Sequence, residues 1–96
     1  MRHLSIDIET YSSVPIAKAG LYKYAQSPDF EILLFAWSWN FGPVQICDLT
    51  TENQLPESVL KALPDPEIQK HAYNAAFEWY CLSRYLGAML PFSQWR

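Results

Sequence analysis

The segment Leu4-Ser5-Ile6-Asp7-Ile8-Glu9 alternates apolar and polar side chains with period two. It predicts a strand with Leu4, Ile6 and Ile8 on one face and Ser5, Asp7 and Glu9 on the other. The two acids then stand about 7 Å apart at their Cα atoms, from a rise of ~3.3 Å per residue. Like charges on one strand face need water, a basic side chain or a metal ion beside them.

The remaining segments supply a sheet for this strand. Residues 30–39 hold the uninterrupted run Ile32-Leu33-Leu34-Phe35-Ala36-Trp37, whose branched and aromatic content predicts a strand buried on both faces. Asn40-Phe41-Gly42-Pro43 reads as a turn and residues 44–49 as a third strand, so the pair forms a β-hairpin. Residues 10–15 read as a polar loop, residues 16–26 as a weak helix disfavoured by Gly20, and Ser27-Pro28-Asp29 as a turn. Pro56 suits a first helical position and Glu57 complements that helix N-terminus. Val59, Leu60 and Leu63 form its apolar stripe, and Pro64 and Pro66 end it. Residues 68–73 read as a short strand. Asn74 is an N-cap for a helix over 75–86, with Gly87 as its stop. Residues 88–96 show no clear element.

The order β-β-β-α-β-α follows, an α/β chain with a mixed sheet: an antiparallel trio, then a helical crossover into a further strand. With 96 residues there is room for one core, so 1–96 is expected to be a single domain. Half the residues are hydrophobic and 18% are charged, which excludes an intrinsically disordered chain. That apolar content is high for so small a domain and hints that some surface meets a partner or more chain. The net charge is −3, with no Lys/Arg run, which excludes a general nucleic-acid coat but not a nuclease. Cys47 and Cys81 stand alone, outside any CxxC or Cys/His cluster, and read as buried thiols rather than zinc ligands. His3 and His71 read as structural. No apolar run approaches the ~18 residues of a membrane span, and the start does not read as a leader, so a cytoplasmic location is expected.

Glu78 gives the acidic strand a third carboxylate. On its helix it shares a stripe with Asn74, Cys81, Leu82 and Tyr85, while Ser83 and Arg84 lie away from the centre. A carboxylate buried in such a stripe costs several kcal/mol unless a cation or donor meets it. An ion pair with a basic residue would serve; so would a metal. Three inward carboxylates suit Mg²⁺ or Mn²⁺. Two such ions about 4 Å apart activate a water and stabilise the leaving oxygen of a phosphodiester.

Ser5-Ile6-Asp7-Ile8-Glu9-Thr10 resembles the first motif of the DEDD (DnaQ-like) 3′–5′ exonucleases, and Asn74-Ala75-Ala76-Phe77-Glu78 resembles the second. In the second, the family's usual acid is Asp; here it is Glu, one methylene longer. Three further blocks, Asp7 to Ser13, Gly20-Leu21-Tyr22-Lys23-Tyr24-Ala25 and Pro28-Asp29-Phe30-Glu31-Ile32-Leu33, are similar to the exonuclease segment of phage-type family A DNA polymerases. The resemblance implies an RNase H-like fold and a two-metal site for Mg²⁺ or Mn²⁺ held by Asp7, Glu9 and Glu78. It implies Thr10 beside the 3′-terminal nucleotide, Tyr11 and Phe77 flanking the terminal base, and Asn74 as part of the same substrate-binding motif. The implied partners are the single-stranded 3′ end of DNA and the remainder of a polymerase chain.

The family's third motif, a Tyr or His followed by an Asp, has no counterpart, since no Asp or Glu follows Glu78. The expectation is therefore a partial RNase H-like fold with the final strand and helix missing. Such a chain should be inactive or weak alone, and should form homo-oligomers through the exposed edge of the 68–73 strand. Two alternatives remain from sequence: a non-catalytic protein-interaction module of the same fold, or a stand-alone RNA-trimming exonuclease.

Overall fold

A computed structural model of the protein describes residues 2–52 and 54–96. Among these residues nine elements follow in order: β1 (Arg2–Tyr11), α1 (Ile16–Ala19), α2 (Leu21–Gln26), β2 (Glu31–Trp39), β3 (Gln45–Asp48), α3 (Glu57–Ala62), β4 (Ile68–His71), α4 (Ala75–Leu86) and a 3₁₀ turn, Phe92–Gln94. The strands form one mixed sheet of order β3-β2-β1-β4. β1 and β2 pair antiparallel, as do β2 and β3, and β4 runs parallel to β1. The α/β class, the mixed sheet and the β2–β3 hairpin are those the sequence predicts.

Period-two patterning sets β1. Leu4, Ile6 and Ile8 are buried, while Asp7 and Glu9 on the opposite face are exposed. The strand runs two residues beyond Glu9, into what reads as a loop, because Thr10 and Tyr11 pair with Ile32 and Glu31. The register slips there: Glu9 faces Leu34 and Thr10 faces Ile32, which leaves Leu33 as an extra, bulged residue. The bulge puts Ile32 and Phe35 in the core together and turns Leu34 outward. β2 is therefore not buried on both faces, contrary to its composition. Only one face of the sheet is packed; Ile46 of β3 and the neighbouring Val44 are 68% and 70% exposed.

The packed face carries the core, where strand residues meet Ala25 of α2, Val59 and Ala62 of α3, and Cys81 and Leu82 of α4. The weak helix of residues 16–26 is split into α1 and α2 at Gly20, whose φ of 89° suits glycine. Asn74 caps α4 through a bond from Phe77 N–H to its side chain, and Gly87 ends it with φ 77°. Ser83 is buried, not peripheral: its hydroxyl donates to Trp79 O and accepts from Leu90 N–H. Among the described residues no helix is long and apolar enough to cross a membrane.

Residues 88–96 are ordered against the core, and this corrects the expected open edge. β4 ends at His71, two residues before the sequence suggests. Trp95, 4% exposed, makes a parallel bridge with Lys70. Arg96 N–H donates to Lys70 O, and Ala72 N–H donates to Arg96 O. The apolar surface of Leu90 and Trp95 draws the segment down, and its backbone then pairs with the outer side of β4.

Lys70 is fully buried on the packed face, and its ammonium donates to Asp65 O at 2.7 Å. Burial lowers its pKa to about 8, and the charge of Asp65 offsets part of the shift. The sign is that of a depressed base: the penalty is absent above the ordinary value of 10.5 and complete below about 8. Lys70→Met should therefore stabilise the protein at neutral pH, by about 1–2 kcal/mol once the lost bond to Asp65 is counted. The gain should vanish as pH rises past 10. Urea unfolding of both proteins across that range measures it.

Candidate active site

β4 pairs with β1 only from Arg2 to Ser5. The chain then turns at Asn74 into α4, so the first turn of that helix takes up the β1 edge that β4 leaves free. This places Glu78 beside Asp7 and Ile8. The Glu78 side chain is 4% exposed, and its Oε2 has no hydrogen-bond partner. Burial pushes its carboxyl up to about 7, and the charge of Asp7 adds to the push. Backbone groups of Glu78, Asn74 and Ile8 offset part of it. An acid pushed up toward neutral pH by burial, with one buried oxygen unpartnered and the charge of Asp7 acting on it, is an arrangement that a cation would relieve.

Asp7 lines a groove of about 210 Å³ with Ser5, Ala36, Ser38 and Val44 on the open face. Glu9 is exposed two residues along the same strand face. Among the described residues no group of three or more His, Cys, Asp or Glu side chains is close enough to hold one metal ion. Of the sequence-derived trio, Asp7 lies near enough for its charge to act on Glu78 and Glu9 is exposed along β1, but the three do not converge into one group. Carboxylate oxygens are hard donors, suited to Mg²⁺ or Mn²⁺. Cys81, one turn on from Glu78, is no rival ligand, because burial pushes its thiol up to about 12.

The other expected residues adjoin these acids along β1 and at the start of α4. Thr10 Oγ1 lies 2.8 Å from Tyr24 OH. The Tyr24 ring packs on Phe77 at 6.3 Å and edge-on to Phe30 at 6.0 Å. Tyr24 thus ties the strand motif to the helix motif, a role that local spacing does not disclose although its block is part of the family resemblance. Phe77 is half-buried against the core. Tyr11 is 49% exposed and free to meet a ligand. Asn74 spends its side-chain oxygen on the helix cap.

This arrangement, a buried carboxylate in the first turn of a helix beside an acidic strand of a mixed sheet, sits in a fold shared with a DNA polymerase. The structure of the family B DNA polymerase from the hyperthermophilic archaeon Pyrobaculum calidifontis matches 97% of this chain with a TM-score of 0.50. The identity is 22% and the match spans 12% of that chain, so the likeness is one of fold. In sequence, the chain is 51% identical over all 96 residues to the DNA polymerase of Bacillus phage SP02. It spans 15% of the length of that relative. No family model matches.

Proposed function

We propose that the chain forms the carboxylate-bearing front of a two-metal 3′–5′ exonuclease domain, of the proofreading kind, belonging to a phage-type DNA polymerase. The observation that carries the reading is the buried, unpartnered Oε2 of Glu78 beside Asp7. An orphaned buried carboxylate oxygen is costly, and a hard cation is the ligand that its chemistry fits. The similarity to a phage DNA polymerase supports the biological setting, and the sequence blocks around Asp7, Gly20 and Pro28 support family A.

In this reading Asp7 and Glu78 would hold metal, and Glu9, exposed along the same strand face, would have to turn toward them, since the three do not form one group in the structure. The bound ions would activate water and stabilise the leaving oxygen at a 3′-terminal phosphodiester. Thr10, fixed by Tyr24, lies beside the terminal sugar. Tyr11 stacks on the terminal base, a contact that tolerates any sequence. Phe77 supports that surface by packing on Tyr24, and Asn74 fixes the helix that carries Glu78.

Calorimetric titration with Mn²⁺ tests the reading. Wild type should take up Mn²⁺, and Asp7→Asn should weaken uptake by about tenfold or more. Uptake that ignores Asp7 would leave the interaction-module alternative standing. The 96 residues alone should release nucleotides from a DNA 3′ end slowly or not at all, since no further acid follows Glu78 to complete the site. Rapid release abolished by Asp7→Ala would contradict that expectation, and comparing a DNA with an RNA 3′ end would address the substrate.

A further inference from the structure

His3 of β1 and His71 of β4 lie 68 positions apart in sequence and meet on the open face of the sheet. His3 Nδ1 is 2.8 Å from His71 Nε2, with ring centroids 5.0 Å apart and planes inclined by 37°. Between neutral imidazoles such a contact uses one N–H and one lone pair, so the two nitrogens are aimed at each other. Two nitrogens at ~2.0–2.1 Å from one ion stand roughly 2.9 Å apart at the right angle of a square-planar copper or nickel site and roughly 3.3–3.4 Å apart at the tetrahedral angle of zinc, so zinc needs the rings to part by about half an ångström.

The surroundings are built around these rings. Gly42 N–H closes a tight turn on Trp39 O at 2.9 Å. Its central residues, Asn40 and Phe41, have φ of 50° and 62°. A turn with both central residues left-handed favours Asn-Gly; an aromatic at the second place is strained by roughly 1–2 kcal/mol. The Phe41 ring lies 5.2 Å from His3 and 5.3 Å from His71, so the strained residue covers both imidazoles. Asn40 holds the His3 backbone at both ends: its side-chain oxygen accepts from His3 N–H, and its own N–H donates to His3 O. The nearby cation, Arg96, has its guanidinium on the carbonyls of Ser93 and Trp95. Strain kept where it caps two converging ligands is a mark of a site rather than of a surface turn.

We propose that His3 and His71 form a two-imidazole site for a divalent ion of the zinc, nickel and copper class, separate from the carboxylate pair. Nitrogen donors select such ions, whereas the oxygens of Asp7 and Glu78 select magnesium or manganese. For the ion to bind, the N–H of the contact shifts to the other nitrogen of its own ring, so that both facing nitrogens present lone pairs, and water completes the coordination, since among the described residues no third ligating side chain joins the pair. Bound there, it clamps β4 to β1.

The test is calorimetric titration of the 96-residue chain with ZnCl₂ at about pH 7.5, above the imidazole range. Wild type should bind a single zinc ion through this pair and melt at a higher temperature with zinc than without. His3→Ala and His71→Ala should each weaken binding by about tenfold or more and abolish the thermal gain. If an alanine variant fails to fold, His3→Asn and His71→Gln give the same readout. Asp7→Asn distinguishes the two sites: it should impair Mn²⁺ uptake and leave zinc uptake intact. Absence of zinc uptake by wild type, or wild-type uptake by folded variants at both histidines, would overturn the proposal.

Discussion

Glu78→Gln should make the metal-free protein more stable at about pH 8 and leave it nearly unchanged at about pH 4.5. Burial raises the carboxyl of Glu78 from 4.5 to about 7. A raised acid favours folding in its protonated form. Its penalty is therefore absent below about 4.5, grows as pH rises, and is complete above about 7. That span is worth on the order of 3 kcal/mol at one pKa unit per 1.36 kcal/mol. Glutamine cannot ionise but brings an amide that must find partners in the same pocket, which leaves a net gain of about 2 kcal/mol. For a domain of this size the melting temperature should rise by roughly 8–16 °C at pH 8. Lys70 does not confuse the measurement, because its titration lies at and above about 8.

Metal should reverse the order of the two proteins. A dication between Glu78 and Asp7 favours the ionised carboxyl, so Mn²⁺ should stabilise wild type at pH 8 and do little for Glu78→Gln. Melting curves from about pH 4.5 to 8, with and without MnCl₂, measure both effects. Parallel curves for the two proteins would show that Glu78 does not titrate as described. A metal response surviving in Glu78→Gln would remove this residue from the ligand set while leaving the stability result intact.

How much of this was legible in sequence depends on whether the cause is local. The acidic face of β1 is a period-two pattern, and α4 is bounded by a capping Asn74 and a stopping Gly87; both emerge with the expected sense. Glu78 in an apolar stripe already implied a buried carboxylate. What escaped are features made by pairing between distant segments. The bulge at Leu33 exists only through the register of β2 against β1, so composition suggested two buried faces where one is open. Ser83 is buried because Leu90 folds back onto it. His3 and His71 read as unrelated structural residues because nothing local places them on adjacent strands. Tyr24 likewise acquires its link to Thr10 only when α2 docks on the sheet.

The same distinction governs the last residues, where the sequence shows no element and the structure places part of the core. Trp95→Ala should destabilise the protein and increase its tendency to self-associate. Removing a buried Trp costs about 3–5 kcal/mol. One feature reduces that here: its indole N–H is buried without a partner, so its loss also relieves a penalty. A net loss of about 2–3 kcal/mol remains, which lowers the melting temperature by roughly 10–20 °C. The second effect is structural. Without the Trp95 anchor, Arg96 no longer holds Lys70 O and Ala72 N–H, and the outer edge of β4 becomes free to pair with another chain. Trp95→Phe keeps apolar bulk and discards the unpaired N–H, so it should behave much like wild type in both respects. Thermal unfolding together with light scattering at matched concentration separates the cases. A Trp95→Ala protein that melts with wild type would show that the segment adds no stability; one that melts early yet scatters no more would show that covering β4 is not what restrains association.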